Sequence, residues 1–301
     1  MSFRRLFVPL FLLSTTLLWP LNNASAADVP TVPIATAEKY SVLAGSTVTN
    51  TGPSVLNASI GLSPGTSVTG FPPGIITSPG VKNIANPSAV TAKADLVTAY
   101  LDAQRRSVTA TVKADLTGLI LGPGVYSASA KGPLRLSGKL TLDAKGNDNA
   151  VFIFQTNSTL TTASSSIISL TNGANACRVF WQVGSSATLG TSSRFIGSLL
   201  ALSSITATTG TRIEGRLLAR NGAVTLDTNT FTAPSCITSS ATTTTLGSTA
   251  TTLPGSTTST TIPEGSNLPA TGSNSWLLMS ALLMTGFGFA FRLTSNRQMQ
   301  R

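Results

Sequence analysis

Between residues 139 and 228, apolar and polar residues alternate in short runs: KLTLDA, AVFIFQT, RVFWQVG, SLLALSSITA, GRLLAR and AVTLDT. These runs are rich in β-branched and aromatic residues and are punctuated by Gly, Asn and Ser. That pattern predicts short strands rather than helices. One segment has a different period. PSAVTAKADLVTAYLDAQRRS (87–107) places Val90, Ala94, Val97 and Leu101 at helical spacing, joined by Tyr100. Asn86 is a good N-cap, and Pro87 occupies the first helical position, where its missing N–H costs nothing. Arg105 and Arg106 stand near the C-terminal end, where the helix dipole favours cations. The expectation is one amphipathic helix, with residues 90, 94, 97 and 101 facing inward, beside many short strands.

The strands also repeat. Thr188-Leu189, Thr206-Ala207 and Thr225-Leu226 recur about every eighteen residues, and GSLLALSS (197–204) aligns with GRLLARNG (215–222) at the same offset. A period near eighteen suits a three-sided β-coil of three short strands and three corners. Stacked coils pair about 4.7–4.9 Å apart, so equivalent side chains form ladders up each side. FQTNSTLTT (154–162) echoes WQVGSSATLGT (181–191), which extends the repeat toward the N-terminus less regularly.

The ends of the chain read differently. Residues 1–26 carry Arg4 and Arg5, an apolar run and Ala24-Ser25-Ala26, the order of a secretory signal. The run is short for a membrane anchor and is broken by Pro9 and Pro20. Residues 27–237 are long enough for one domain with a sizeable core. Residues 238–267 collapse to Thr, Ser, Gly and Pro, a stalk composition that cannot bury enough apolar surface to fold. Residues 268–301 begin with LPATG, continue through an apolar run and close on Arg292, Arg297 and Arg301. This order resembles the cell-wall sorting signal of Gram-positive bacteria. The resemblance implies cleavage between Thr271 and Gly272 by a sortase and covalent linkage of Thr271 to peptidoglycan at the cell surface. A permanent tail-end membrane helix is the alternative, although the apolar run is short for a span.

Processing changes the charge picture. The net charge of +10 includes Arg4, Arg5, Arg292, Arg297 and Arg301, and without them 15 basic residues face 10 acidic ones. The remaining cations form no stripe and aromatics are few, so no nucleic-acid partner is expected. Two cysteines, Cys177 and Cys236, in an exported chain are read most economically as a disulfide, with free thiols as the alternative. Closing that loop would stabilise by about 4 kcal/mol in the chain-entropy model.

Candidate chemistry is sparse. The chain has no histidine, which removes the usual Ser-His-Asp and Cys-His arrangements and the commonest metal ligand. Asp143, Asp148, Glu214 and Asp227 are scattered over different corners rather than paired as in glycoside hydrolases. DAKGNDNA (143–150) lacks the acidic spacing of a calcium loop and reads as a turn. No catalytic residue, metal or cofactor is expected.

Four long stretches carry a family resemblance: 40–74, 141–164, 176–193 and 215–231. They resemble the microbial (type 1) ice-binding protein family over essentially all of residues 32–234. The resemblance implies a mainly β fold: a discontinuous right-handed β-solenoid of triangular section with one long α-helix packed alongside. It also implies adsorption to an ice crystal through one flat face, with no reaction. In the family, short Thr-Gly/Ala-x-Thr/Asn segments lie on or near that face. The matching positions here are 162–165, 191–194, 209–212 and 227–230, which contribute Thr162, Thr191, Thr209, Thr228 and Thr230.

The residues themselves add Thr159, Thr188, Thr206, Thr208 and Thr225, the aligned outward threonines. A rigid lattice of hydroxyls and methyls anchors and orders water, and stacked β-branched side chains supply the stiffness. Arg194 and Arg212 depart from the family pattern. They take the last place of two segments and stack on adjacent coils, so they either point to a rim or weaken ice contact. A wall-anchored adhesin using the same scaffold for another ligand is the competing reading, and a carbohydrate-active enzyme is a third.

Overall fold

A computed structural model describes residues 29–234. Those residues are mainly β, built from parallel strands with one long helix, α1 (Pro87–Arg105). A 15-stranded sheet and a 7-stranded sheet account for the strands. The signal, stalk and sorting segments expected at the two ends lie outside the described residues, as does Cys236.

The repeat seen in the sequence is a repeat in space. Thr188 pairs with Thr206 and Thr206 with Thr225, while Leu189, Ala207 and Leu226 follow in the same register. Arg194–Ala201 and Arg212–Ala219 pair residue for residue over their whole length, Gly197 opposite Gly215. The echo at 154–162 also holds, with Phe154 beside Trp181 and Gln155 beside Gln182.

Both eight-residue strands turn a corner within the large sheet. Their C-terminal halves join a file that includes Val179–Val183, Phe152–Thr156 and Gly124–Ala128. Their N-terminal halves join Ile167–Thr171 on one side and Thr230–Thr232 on the other. Gly197 and Gly215 make the turn at φ 109° and 145°. A Cβ on Gly215 would lie 2.0 Å from the Gly197 carbonyl oxygen, so only glycine fits there.

The spatial order of repeats departs from chain order. Tyr40–Ala44 docks on Arg212–Ala219, Val42 opposite Leu217, and Thr47–Asn50 docks on Val224–Leu226. The N-terminal strands therefore extend the stack beyond its C-terminal repeat. Alternation along each strand then divides the apolar residues into two sets. One fills the interior, where Phe154 stacks on Trp181 at 4.0 Å and 11° and the indole N–H donates to the Ile196 carbonyl at 3.0 Å. The other, including Leu43, Ile153, Phe180, Leu200 and Leu218, faces α1. A strand file buried on both sides explains near-continuous apolar runs such as VFIF and SLLA.

The helix begins where the sequence places it: the Asn86 side chain accepts from the Ala89 N–H at 3.0 Å, with Pro87 next. Its buried face is not the expected one. Ala89, Ala92, Leu96, Ala99, Tyr100 and Ala103 are buried, whereas Val90 is 53% exposed. Four alanines let the helix backbone lie close to the sheet, and the larger Val90 is left in solvent. Polar side chains lock that placement. Gln155 Nε2 donates to the Ala103 and Arg106 carbonyls, both at 2.7 Å, which satisfies the helix end. Lys93 Nζ donates to the Ala219 carbonyl at 2.7 Å.

Candidate functional site

The 7-stranded sheet runs, in spatial order, Leu134–Leu136, Leu160–Thr162, Ala187–Leu189, Ile205–Ala207, Val224–Leu226, Thr47–Asn50 and Ser67–Thr69. Residues on either side of each strand centre point inward. Leu134, Leu160, Ala187, Ile205, Val224 and Val48 form one buried row. The residue that follows each of these in its strand points outward, and register links Arg135, Thr161, Thr188, Thr206, Thr225, Thr49 and Thr69 in one unbroken file. Six threonines thus stand on six neighbouring strands, about 24 Å end to end at the usual parallel-strand spacing.

A second file runs beside the first, two residues earlier on each strand: Thr159, Ser186, Ser204, Ala223, Thr47 and Ser67. Strand hydrogen bonds and register put these residues on the same rungs. All are small, and five of the six carry hydroxyls, the exception being Ala223. Ser186 and Ser204 Oγ accept from the N–H groups of Ser204 and Ala223 at 3.3 and 3.1 Å, which fixes one rung to the next. By contrast, no hydrogen bond within the described residues occupies the hydroxyls of Thr49, Thr69, Thr161, Thr188, Thr206 or Thr225. These six are left for water.

The remaining sequence-derived threonines have other positions. Thr162 is 4% exposed, and its Oγ1 accepts from the Gly190 N–H at 2.9 Å. Thr162 follows Thr161 inward and is in step with Leu189, not with Thr191. Thr191, Thr208, Thr209 and Thr228 lie at the turn that leaves the threonine sheet. Thr191 Oγ1 donates to Thr208 Oγ1 at 3.2 Å, and Thr208 Oγ1 donates to the Leu189 carbonyl at 2.8 Å. The Thr209 and Thr228 hydroxyls both donate to Asp227 and, with Thr209 contributing most, hold its carboxyl below the usual range.

The turn has a common backbone cause. Ser165, Ser192, Gly210 and Thr228 are all left-handed, at φ 59°, 57°, 72° and 53°. Gly210 takes that conformation without steric cost, whereas Ser165, Ser192 and the β-branched Thr228 hold it against their usual preference. Beyond the turn, Arg194 pairs with Arg212 and Arg212 with Thr230, all in the large sheet. Thr230 and both arginines are therefore off the threonine sheet. Arg194 instead meets Glu214 at 3.6 Å.

Thr49, Thr69 and Thr161 are not among the candidates that the sequence offers. The period near eighteen was the available signal for Thr188, Thr206 and Thr225, but the loop before Thr188 is longer and shifts Thr161 out of phase. Thr49 and Thr69 belong to strands that join the sheet out of chain order. Cys177 has no free thiol. Among the described residues, no group of three His, Cys, Asp or Glu side chains could hold a metal ion.

The geometry defines a mainly β protein of parallel strands with one helix, in which register lines up outward threonines across the 7-stranded sheet. Residues 42–232 match the model of the Ice-binding-like family, and the chain belongs to that family. An ice-binding protein of Nostoc sp. (strain HG1) is 52% identical over 214 residues, covering 69% of this chain and 76% of the relative. One from Colwellia sp is 33% identical over 235 residues, covering 71% and 88%. The crystal structure of an ice-binding protein from the Antarctic ascomycete Antarctomyces psychrotrophicus superposes with a TM-score of 0.64 at 44% identity, covering 66% of this chain and 97% of that one.

Proposed function

We propose that this is a secreted, cell-wall-anchored ice-binding protein that adsorbs to ice through the threonine sheet and so limits ice growth and recrystallisation. One observation carries the reading: six threonines in register on adjacent parallel strands, their hydroxyls without a hydrogen bond among the described residues. Each hydroxyl can anchor one ordered water, and each methyl orders the water beside it. A single such contact is weak, so adsorption depends on many made at once by a surface that does not flex. Repetition of the strand register and β-branching at every point of the file provide that stiffness. An ice front held at such anchors must bulge between them, which opposes further growth. The kinship with proteins named for ice binding supports the same reading.

The stack is read as a discontinuous right-handed solenoid of triangular section, with the threonine sheet as one side and the two arms of the large sheet as the others. No catalytic step belongs to this reading. Cys177 pairs with Cys236, the only other cysteine in the chain, and ties the end of the domain to its middle. Export through residues 1–26, a stalk over 238–267 and sortase linkage of Thr271 to peptidoglycan put the domain on the cell surface. The deciding experiment follows ice-grain growth in a frozen sucrose solution containing the purified protein. Grains stay small under this reading. Grain growth equal to that in buffer would remove it and favour an adhesin for another ligand.

A further inference from the structure

We propose that Arg135 marks one end of the ice-binding face and confines adsorption to the six threonines beside it. This rests on the threonine sheet being the ice face. Arg135 is exposed and occupies the same outward place as the threonines, directly opposite Thr161. Nothing in its strand requires a cation there: Leu134 and Leu136, on either side, carry the burial. On its far side the strand is met by a single parallel bridge to the segment around Asp115. The Arg135 N–H donates to the Ala114 carbonyl at 2.7 Å, and the Arg135 carbonyl accepts from the Leu116 N–H at 2.9 Å. That puts Asp115 next in the file.

No ion pair among the described residues joins Asp115 to Arg135. Its carboxylate accepts from the N–H and hydroxyl groups of Thr117 and Ser137, including Ser137 Oγ at 2.8 Å. The threonine file therefore ends in two ionic side chains at consecutive places. A guanidinium holds its own oriented, mobile hydration shell, which does not match a crystal lattice. The opposite end, at Thr69, has no such charge in the file.

The test compares thermal hysteresis of the full chain and four variants, Arg135→Thr, Arg135→Lys, Arg194→Thr and Thr206→Tyr, at equal concentration. Arg135→Thr lengthens the file from six threonines to seven and is expected to raise hysteresis by about 1.2-fold or more, in proportion to added contact area. Arg135→Lys keeps the charge and should match the parent. Arg194→Thr, on the other sheet, should also match it. A gain in Arg135→Thr cannot come from damage to the fold. If Arg135→Thr equals or falls below the parent while Thr206→Tyr abolishes activity, the ice face stands and this inference is overturned. If the parent itself has no hysteresis, the underlying reading fails.

Discussion

A threonine hydroxyl facing water and one bonded across a turn differ in what they offer, and this chain uses both kinds. Thr188, Thr206 and Thr225 leave their hydroxyls to solvent, whereas Thr162 gives its oxygen to the Gly190 N–H. Thr162→Val should therefore cost about 1 kcal/mol in a denaturant melt, because a half-buried N–H loses its acceptor. Ice activity per folded molecule should not change. The three threonines of the regular repeats were legible in the sequence because a period near eighteen aligns them. Thr162 was not separable from them, since one residue of phase exchanges inside for outside in a strand. Arg194 and Arg212 were correctly seen to stack on each other, but composition alone could not say on which sheet. The left-handed turn before them decides that.

The helix illustrates what a pattern of apolar residues can and cannot specify. Its start was readable from Asn86 and Pro87, but its buried side was not. The apolar spacing points to Val90, Ala94, Val97 and Leu101 with Tyr100; of these the structure buries Tyr100, and beside it Leu96 and four alanines, because closeness to the sheet outweighs side-chain size. Ala99→Leu should overpack this contact and cost about 1–3 kcal/mol in thermal or chemical melts. Val90→Ala, in solvent, should stay within about 0.5 kcal/mol of the parent.

Lys93 gives the same contact a pH signature. Burial, helped by the Arg220 charge, lowers its pKa from 10.5 to about 8. Between those two values the unfolded chain binds more protons than the folded one, so stability rises with pH across that window. Lys93→Met should flatten that slope in melts taken from pH 8 to 10. Above the ordinary tyrosine value of 10.0, burial keeps Tyr40, Tyr100 and Tyr126 protonated in the fold, and stability should turn down again.

At the scale of the molecule, the repeat makes the surface. Parallel pairing fixes the distance between threonines, and the glycine corners keep successive repeats in register. The N-terminal strands then add Thr49 and Thr69 to a file begun by the C-terminal repeats. That last step was illegible in the sequence, because docking of Tyr40–Ala44 on Arg212–Ala219 brings together residues far apart in the chain. The claim at the centre is that the threonine sheet, and no other side, meets ice. Thermal hysteresis of Thr206→Tyr beside Thr230→Tyr tests it most directly. A ring standing above the file at Thr206 should remove most of the activity, and the same ring at Thr230, on the large sheet, should leave it unchanged. Loss at Thr230 with full activity at Thr206 would contradict the account.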